Sequence, residues 1–466
     1  MLYHSTRGLD ESKNFSEVLH SGLARDGGLF VPKSIPMLNM ETLNQWRHLS
    51  YEELAVEIIA LFSGDCFSRS ELAEIVHDSY SGFQHELKSP LIKLEDNHHL
   101  LELFHGPTLA FKDFAMQVIA KMFAKTLPKK NLKINIVTAT SGDTGSAAVE
   151  AFKAVSSVNL YVLYPHERIS QIQRMQMTTS NANNIKVFAV KGTFDDCQSI
   201  VKGLFADKDL VRDVNLSGVN SINWARILVQ IVYYFSAFYQ MKDCSERKLS
   251  FSVPTGNFGD AYAGYLSKKM GLPINKIIVA TNKNDILDRV FKTGIYKSSG
   301  VSKTLSPSMD IQVASNFERL LFNLLSNDTN EVSKLMNKLS NKGSFNLDKK
   351  ITSLISKDFD SGAVTDDETI ATIDHFFKQK EIILCPHSAI GVRVGKAFVD
   401  AGETVVSLGT AHPAKFKETV ESALDMSIQI PPALKEVIKK QESVKVIPPN
   451  QDIVAGEIRK TYLREN

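Results

Sequence analysis

Glu102-Leu-Phe-His-Gly-Pro-Thr-Leu-Ala-Phe-Lys112-Asp-Phe-Ala-Met116 sets a lysine between aromatic neighbours at the threshold of an amphipathic helix. Phe114, Ala115, Val118, Ile119, Met122 and Phe123 recur at helical spacing behind it. A lysine partly withdrawn from water in this way has a lowered amine pKa and becomes a usable nucleophile toward aldehydes. The same segment also reads as an ordinary surface lysine at a helix start, and on its own it leaves both readings open.

Downstream of this segment, short apolar runs alternate with helical patterns. The runs are Leu132 to Val137, Leu160 to Leu163, Ile185 to Val190, Leu249 to Val253, Ile277 to Val279, Ile382 to Leu384 and Val405 to Ser407. Near-continuous apolar strands between helices predict an α/β fold with mostly parallel sheet covered on both faces. Upstream, residues 1–95 read mainly as helix and loop and form an N-terminal domain. Residues 96–425 form the catalytic domain, with a Ser-, Lys-, Asn- and Asp-rich helical insertion at about 296–380. Residues 426–466, with Pro431-Pro432 and Pro448-Pro449, read as a surface tail.

Composition narrows the function classes. The 466 residues are 43% hydrophobic and 23% charged, as in an ordinary globular enzyme. A net charge of +2 gives no support to a nucleic-acid or acidic-membrane partner. Cys66, Cys197, Cys244 and Cys385 form no CxxC pair, which points to a reducing compartment and to neither a zinc site nor a disulfide framework. The opening residues lack the apolar core of a signal peptide. The apolar stretch from Ile227 to Met241 is interrupted by Gln230 and too short to span a bilayer. The expectation is a cytoplasmic protein without a membrane span or metal site.

Four loops sit where such a fold puts its chemistry, at or after strand ends. Ser141-Gly142-Asp143-Thr144-Gly145 follows a strand and opens a helix, so its backbone N–H groups suit a carboxylate or phosphate. Gly256-Asn257-Phe258-Gly259-Asp260 repeats that arrangement. Asn220-Ser221-Ile222-Asn223-Trp224-Ala225-Arg226 offers amide, hydroxyl and guanidinium donors, the last well shaped for a phosphate dianion. Ser407-Leu-Gly409-Thr410-Ala-His412-Pro-Ala-Lys415 places a hydroxyl that could face a heterocyclic nitrogen. Each loop alone also reads as a helix cap or turn. Together, one lysine and separate anion sites for a cofactor phosphate and a substrate phosphate fit a Schiff base to pyridoxal phosphate far better than they fit chance. Neither GxxxxGK[ST] nor GxGxxG occurs, so a nucleotide-binding module has no support. A silent metabolite sensor would not need the reactive amine.

These motifs, in this order, resemble those of the threonine synthase family. Tyr3-His-Ser-Thr-Arg7-Gly8 and Gly22-Leu-Ala-Arg-Asp26-Gly-Gly-Leu-Phe-Val-Pro32 resemble that family's N-terminal domain, and His105 to Asp113 its cofactor-lysine motif. The resemblance runs from the first residues to about 416 and is to the longer, fungal and bacterial branch. It implies the tryptophan-synthase-β-like fold type II of pyridoxal 5'-phosphate enzymes, with two parallel-sheet subdomains. It further implies conversion of O-phospho-L-homoserine and water to L-threonine and phosphate, by γ-elimination and β-addition, as the last step of threonine biosynthesis. By position, the resemblance assigns Lys112 to the Schiff base and Gly256, Asn257, Phe258, Gly259 and Asp260 to the cofactor phosphate. Thr410 would face the pyridine nitrogen. Ser141, Gly142, Asp143 and Thr144 would hold the substrate carboxylate and the cofactor ring oxygen, and Asn220, Ser221 and Arg226 the substrate phosphate. A monomer or weak homo-oligomer is expected, and a phospho-lyase releasing 2-oxobutyrate is the competing activity on the same residues.

Overall fold

The computed structural model describes residues 1–241 and 248–465; Cys244 lies outside the described residues. Two sheets organise the chain. The larger has the strand order Phe359–Ala363, Ile274–Thr281, Leu249–Pro254, Thr404–Gly409, His98–Glu102, Leu91–Glu95. All its pairings are parallel except the last, an antiparallel hairpin at the edge. The smaller runs Lys445–Ile447, Ile185–Val190, Val158–Pro165, Ile134–Ala139, Leu216–Ser217, parallel throughout. The inner strands are buried along almost their whole length, which is why they are Val-, Ile- and Leu-rich without alternation.

Helix Trp224–Gln240 is buried from Trp224 to Ala237 and is almost wholly apolar there, with Arg226, Gln230 and Ser236 as its buried polar residues. It packs against helices Tyr51–Ser63, Lys112–Thr126 and Gly259–Lys269. Asn223 caps its start by accepting from the Ala225 N–H at 3.0 Å, and its amide donates to the Leu19 carbonyl at 3.0 Å. Each large side chain buried here, such as Phe114 or Trp224, contributes about 1.5–3 kcal/mol.

The N-terminal segment is helical, as expected, but also carries a three-stranded antiparallel sheet of Lys13–Asn14, Leu2–Ser5 and Phe30–Pro32. Its link to the site is Arg319, a buried guanidinium 5.7 Å from the Trp224 ring. Arg319 Nε donates to the Phe30 carbonyl at 3.0 Å and Nη2 to the Ile222 carbonyl at 2.6 Å.

Several elements differ from their sequence reading. Leu91–Glu95 pairs with His98–Glu102, so the large sheet begins before residue 95; polar His98 and His99 had masked the apolar pattern. Ile382 to Leu384 forms no strand. The run stops at Cys385-Pro386, where the Cys385 side chain accepts from the Ser388 N–H and starts a helix. The polar stretch 296–380 does supply helices, and it also adds the edge strand Phe359–Ala363. The tail is more than a wrapping. Lys445–Ile447 extends the smaller sheet, and Val454 and Ile458 of helix Gln451–Glu465 are buried beside it.

Candidate active site

The lysine loop is held from both sides. Asp113, fully buried, accepts from the Thr108 N–H at 2.8 Å and the Thr108 hydroxyl at 2.6 Å, folding the loop back on itself. A Cβ on Gly106 would lie 2.6 Å from the Asp113 Cβ, so the turn needs glycine there. Burial lifts the Asp113 carboxyl to about 6, against the Thr108 hydrogen bonds that pull it down. On the other side, the Phe111 N–H donates to the Thr410 carbonyl at 2.8 Å and the His412 N–H to the Leu109 carbonyl at 3.0 Å. Lys112 is therefore fixed beside the end of strand Thr404–Gly409.

Lys112 opens a cleft of about 1650 Å³ between the two sheets. Of the fourteen site residues predicted from sequence, all but Gly142 line it: Ser141, Asp143, Thr144, Asn220, Ser221, Arg226, Gly256, Asn257, Phe258, Gly259, Asp260 and Thr410 besides Lys112. Gly142 lies just behind, at φ +132°, where a Cβ would come within 2.5 Å of the Gln173 amide.

Electrostatics differ at each wall. Burial lowers the Lys112 pKa below its usual value; Asp143, with Oδ2 3.6 Å from Nζ, pulls the other way, and Arg226 and Lys415 reinforce the fall. Asp143 would be raised by burial, but Lys415 and Lys112 outweigh that and hold it well below the carboxylate range. Arg226 is buried and lowered to about 10 by desolvation, with Tyr233 and Asp260 opposing. Its Nη1 donates to the Val219 carbonyl at 3.2 Å, while Nε has no partner among the described residues. Asn220 receives the Thr138 hydroxyl at 2.6 Å, which orients it at the same wall.

Helix Gly259–Lys269 begins at Phe258 in the left-handed conformation, φ 63°. That turns the Gly256-Asn257 backbone toward the cleft, and a Cβ on Gly256 would stand 2.8 Å from the Ser308 carbonyl. Such a helix N-terminus attracts an anion. Asp260, in its first turn, accepts from the Tyr233 hydroxyl at 2.5 Å and the Tyr234 hydroxyl at 2.9 Å. Burial raises its carboxyl to about 6, against the two tyrosine hydrogen bonds that pull it down.

These walls fit pyridoxal phosphate: an amine with depressed basicity, a glycine-opened helix N-terminus, and a Thr410 hydroxyl that is buried with no partner among the described residues. Two more residues belong to the site, neither of them assigned a role from sequence. Lys415, in the fourth motif, is fully buried with Nζ 3.0 Å from Asp143 Oδ1. His387 lines the cleft and accepts the Ser308 N–H on Nε2 at 3.3 Å. Burial lowers it to about 4, so it is neutral at pH 7.

A two-sheet α/β frame with a lysine and an anion-binding helix end in its cleft defines a pyridoxal-phosphate-dependent enzyme of fold type II. Residues 83–335 match the pyridoxal-phosphate dependent enzyme family, residues 2–80 the threonine synthase N terminus, and residues 388–458 the threonine synthase C-terminal family. The chain is 43% identical to threonine synthase of Pseudomonas aeruginosa over 96% of both chains. It is 44% identical to that of Saccharomyces cerevisiae, over 91% of this chain and 89% of the other. It superposes on the pyridoxal-phosphate-bound threonine synthase of Brucella melitensis with a TM-score of 0.94 and 44% identity, covering 99% of both. The chain belongs to the threonine synthase family and is a pyridoxal-phosphate-dependent lyase. Among the described residues no helix is long and apolar enough to cross a membrane.

Proposed function

We propose that the chain converts O-phospho-L-homoserine and water to L-threonine and phosphate. The observation that carries this reading is two separate anion-receiving walls facing one lysine: the Gly256–Gly259 backbone, and Asn220, Ser221 and Arg226 with its unpartnered Nε. An enzyme acting on an unphosphorylated amino acid would need the cofactor wall and a carboxylate site such as residues 141–144, but not the Asn220, Ser221 and Arg226 wall.

In this reading Lys112, the Gly256–Asp260 turn and Thr410 hold the cofactor, which when bound supplies a ring that takes up electrons released at the substrate's α-carbon. Ser141, Thr144 and the backbone of Gly142, at the start of helix Asp143–Phe152, receive the substrate carboxylate. Arg226, Asn220 and Ser221 receive its phosphate and stabilise the charge that gathers there as the bond to the γ-carbon breaks. Lys112 Nζ, whose burial favours the unprotonated amine, takes the proton from the α-carbon. A second proton leaves the β-carbon as the bond from the γ-carbon to the phosphate oxygen breaks. The γ-carbon then takes up a proton, water adds its hydroxyl at the β-carbon and gives up its other proton, and the α-carbon is reprotonated. Lys112 Nζ carries protons to and from the α-carbon. Neutral His387 adds no competing positive charge to the wall. The same reading takes the enzyme as cytoplasmic, and as a monomer or weak homo-oligomer.

The test is product analysis with O-phospho-L-homoserine and pyridoxal phosphate. Threonine and phosphate in equal amounts are expected. Phosphate with 2-oxobutyrate would make the enzyme a phospho-lyase, and no phosphate release would overturn the substrate assignment.

A further inference from the structure

Asp143 carries two lysines. Its Oδ2 lies 3.6 Å from Lys112 Nζ and its Oδ1 3.0 Å from Lys415 Nζ. Lys415 comes from the turn Pro413–Phe416, beyond the central strand of the large sheet, and its side chain has no exposure at all. Its ammonium also donates to the Thr108 carbonyl at 2.7 Å, at the base of the lysine loop. The Gln173 amide donates to Asp143 Oδ1 at 2.8 Å and completes the anchoring. A fully buried ammonium is costly unless paired, and no step of the reaction above uses this one.

Its effect follows from what surrounds Lys112. A lone carboxylate at that distance would hold Lys112 as an ammonium. Lys415 and Arg226 counter it from one side; His387 is uncharged, and Asp260 is bound by two tyrosine hydroxyls. The Phe111 ring, 4.8 Å from Nζ, favours the cation weakly. We propose that Lys415 is a positioning residue: it draws the Asp143 carboxylate into a buried ion pair and so leaves the Lys112 amine free to condense with the cofactor's aldehyde. This rests on the reading of Lys112 as that amine. Condensation replaces the C=O bond by a C=N bond; nitrogen supplies its lone pair to carbon, and its two protons leave with the carbonyl oxygen as water. An ammonium must first lose a proton.

The experiment mixes full-length, cofactor-free protein with pyridoxal 5'-phosphate and follows the absorbance of the lysine-linked cofactor against pH. In K415M the midpoint of the pH–rate curve moves up by about 1 to 3 units, whereas K415R stays near wild type. D143N moves it down, because Lys415 then faces Lys112 unopposed, and D143N/K415M returns it toward wild type. A purely structural Lys415 would lower the melting temperature without moving the midpoint. A wild-type midpoint in K415M overturns the proposal. If K415M does not fold, the near-isosteric D143N decides: an unmoved or raised midpoint overturns it equally. A K112A variant that gains the same absorbance would overturn the reading of Lys112 itself, which separates the two failures.

Discussion

Replacing Thr410 by valine tests the cofactor wall through two effects of opposite sign. In the protein alone, the Thr410 hydroxyl oxygen is buried with no partner among the described residues. Exchanging it for a methyl group of similar size removes a desolvated polar atom worth about 1–3 kcal/mol. The entropy of unfolding is about 1 kcal/mol/K for 466 residues at about 2.1 cal/mol/K each, so the cofactor-free protein should melt about 1–3 °C higher. The Thr410 N–H, which donates to the Ser388 hydroxyl at 3.0 Å, is untouched. In the proposed placement the hydroxyl would face the ring nitrogen of bound pyridoxal phosphate, and losing that bond would cost about 0.5–1.5 kcal/mol. The rise in melting temperature on adding cofactor should therefore shrink, and the apparent Kd should increase about tenfold or more, each tenfold being about 1.4 kcal/mol. Differential scanning fluorimetry with and without cofactor, with an absorbance titration, reads both. A T410V protein that melts lower without cofactor, or keeps the full cofactor-dependent rise, would refute the placement of this hydroxyl.

Lys112→Ala should abolish turnover and the absorbance of the lysine-linked cofactor, as seen by spectral titration. Arg226→Ala should raise KM for the phosphorylated substrate tenfold or more, with a smaller change in kcat, in steady-state assays; unchanged kinetics would remove Arg226 from the phosphate wall. Burial raises the folded-state pKa of Asp260 from 3.8 to about 6. Stability linked to this group is therefore fully present below about 3.8 and is lost as pH rises through about 6. D260N should flatten that part of the stability-against-pH curve, measured by urea unfolding between pH 3.5 and 7. Deleting the residues after Lys440 should bare the edge strand Ile185–Val190 and the apolar surface under Val454 and Ile458, and light scattering should show aggregation.

The sequence exposed the inner strands because burial on both faces demands unbroken apolar runs, and Ile185–Val190 came out with its observed bounds. Edge strands escaped for the converse reason. Phe359-Asp-Ser-Gly-Ala363 is half exposed and needs no apolar run, and Lys445–Ile447 is too short to show a period. At the site, glycines and helix starts marked the anion walls, since backbone geometry leaves a local trace. Lys415 escaped because its meaning lies in Asp143 and Thr108, partners far away in the chain. His387 escaped because only the fold turns it toward the cleft.

The placement of strand Thr404–Gly409 bears on how the protein comes off the ribosome. Its neighbours are Leu249–Pro254 on one side and His98–Glu102 on the other, so until it emerges the large sheet exists only as two unjoined pieces. About 300 residues separate His98–Glu102 from this strand, which at roughly 5–20 residues per second is about 15–60 s of translation. During that interval the nascent polypeptide displays first the unsatisfied apolar edge of His98–Glu102 and, from about its midpoint, that of Leu249–Pro254 as well. Those open edges are the surfaces most prone to pair with another chain until Thr404–Gly409 is made, and slowing translation lengthens their exposure.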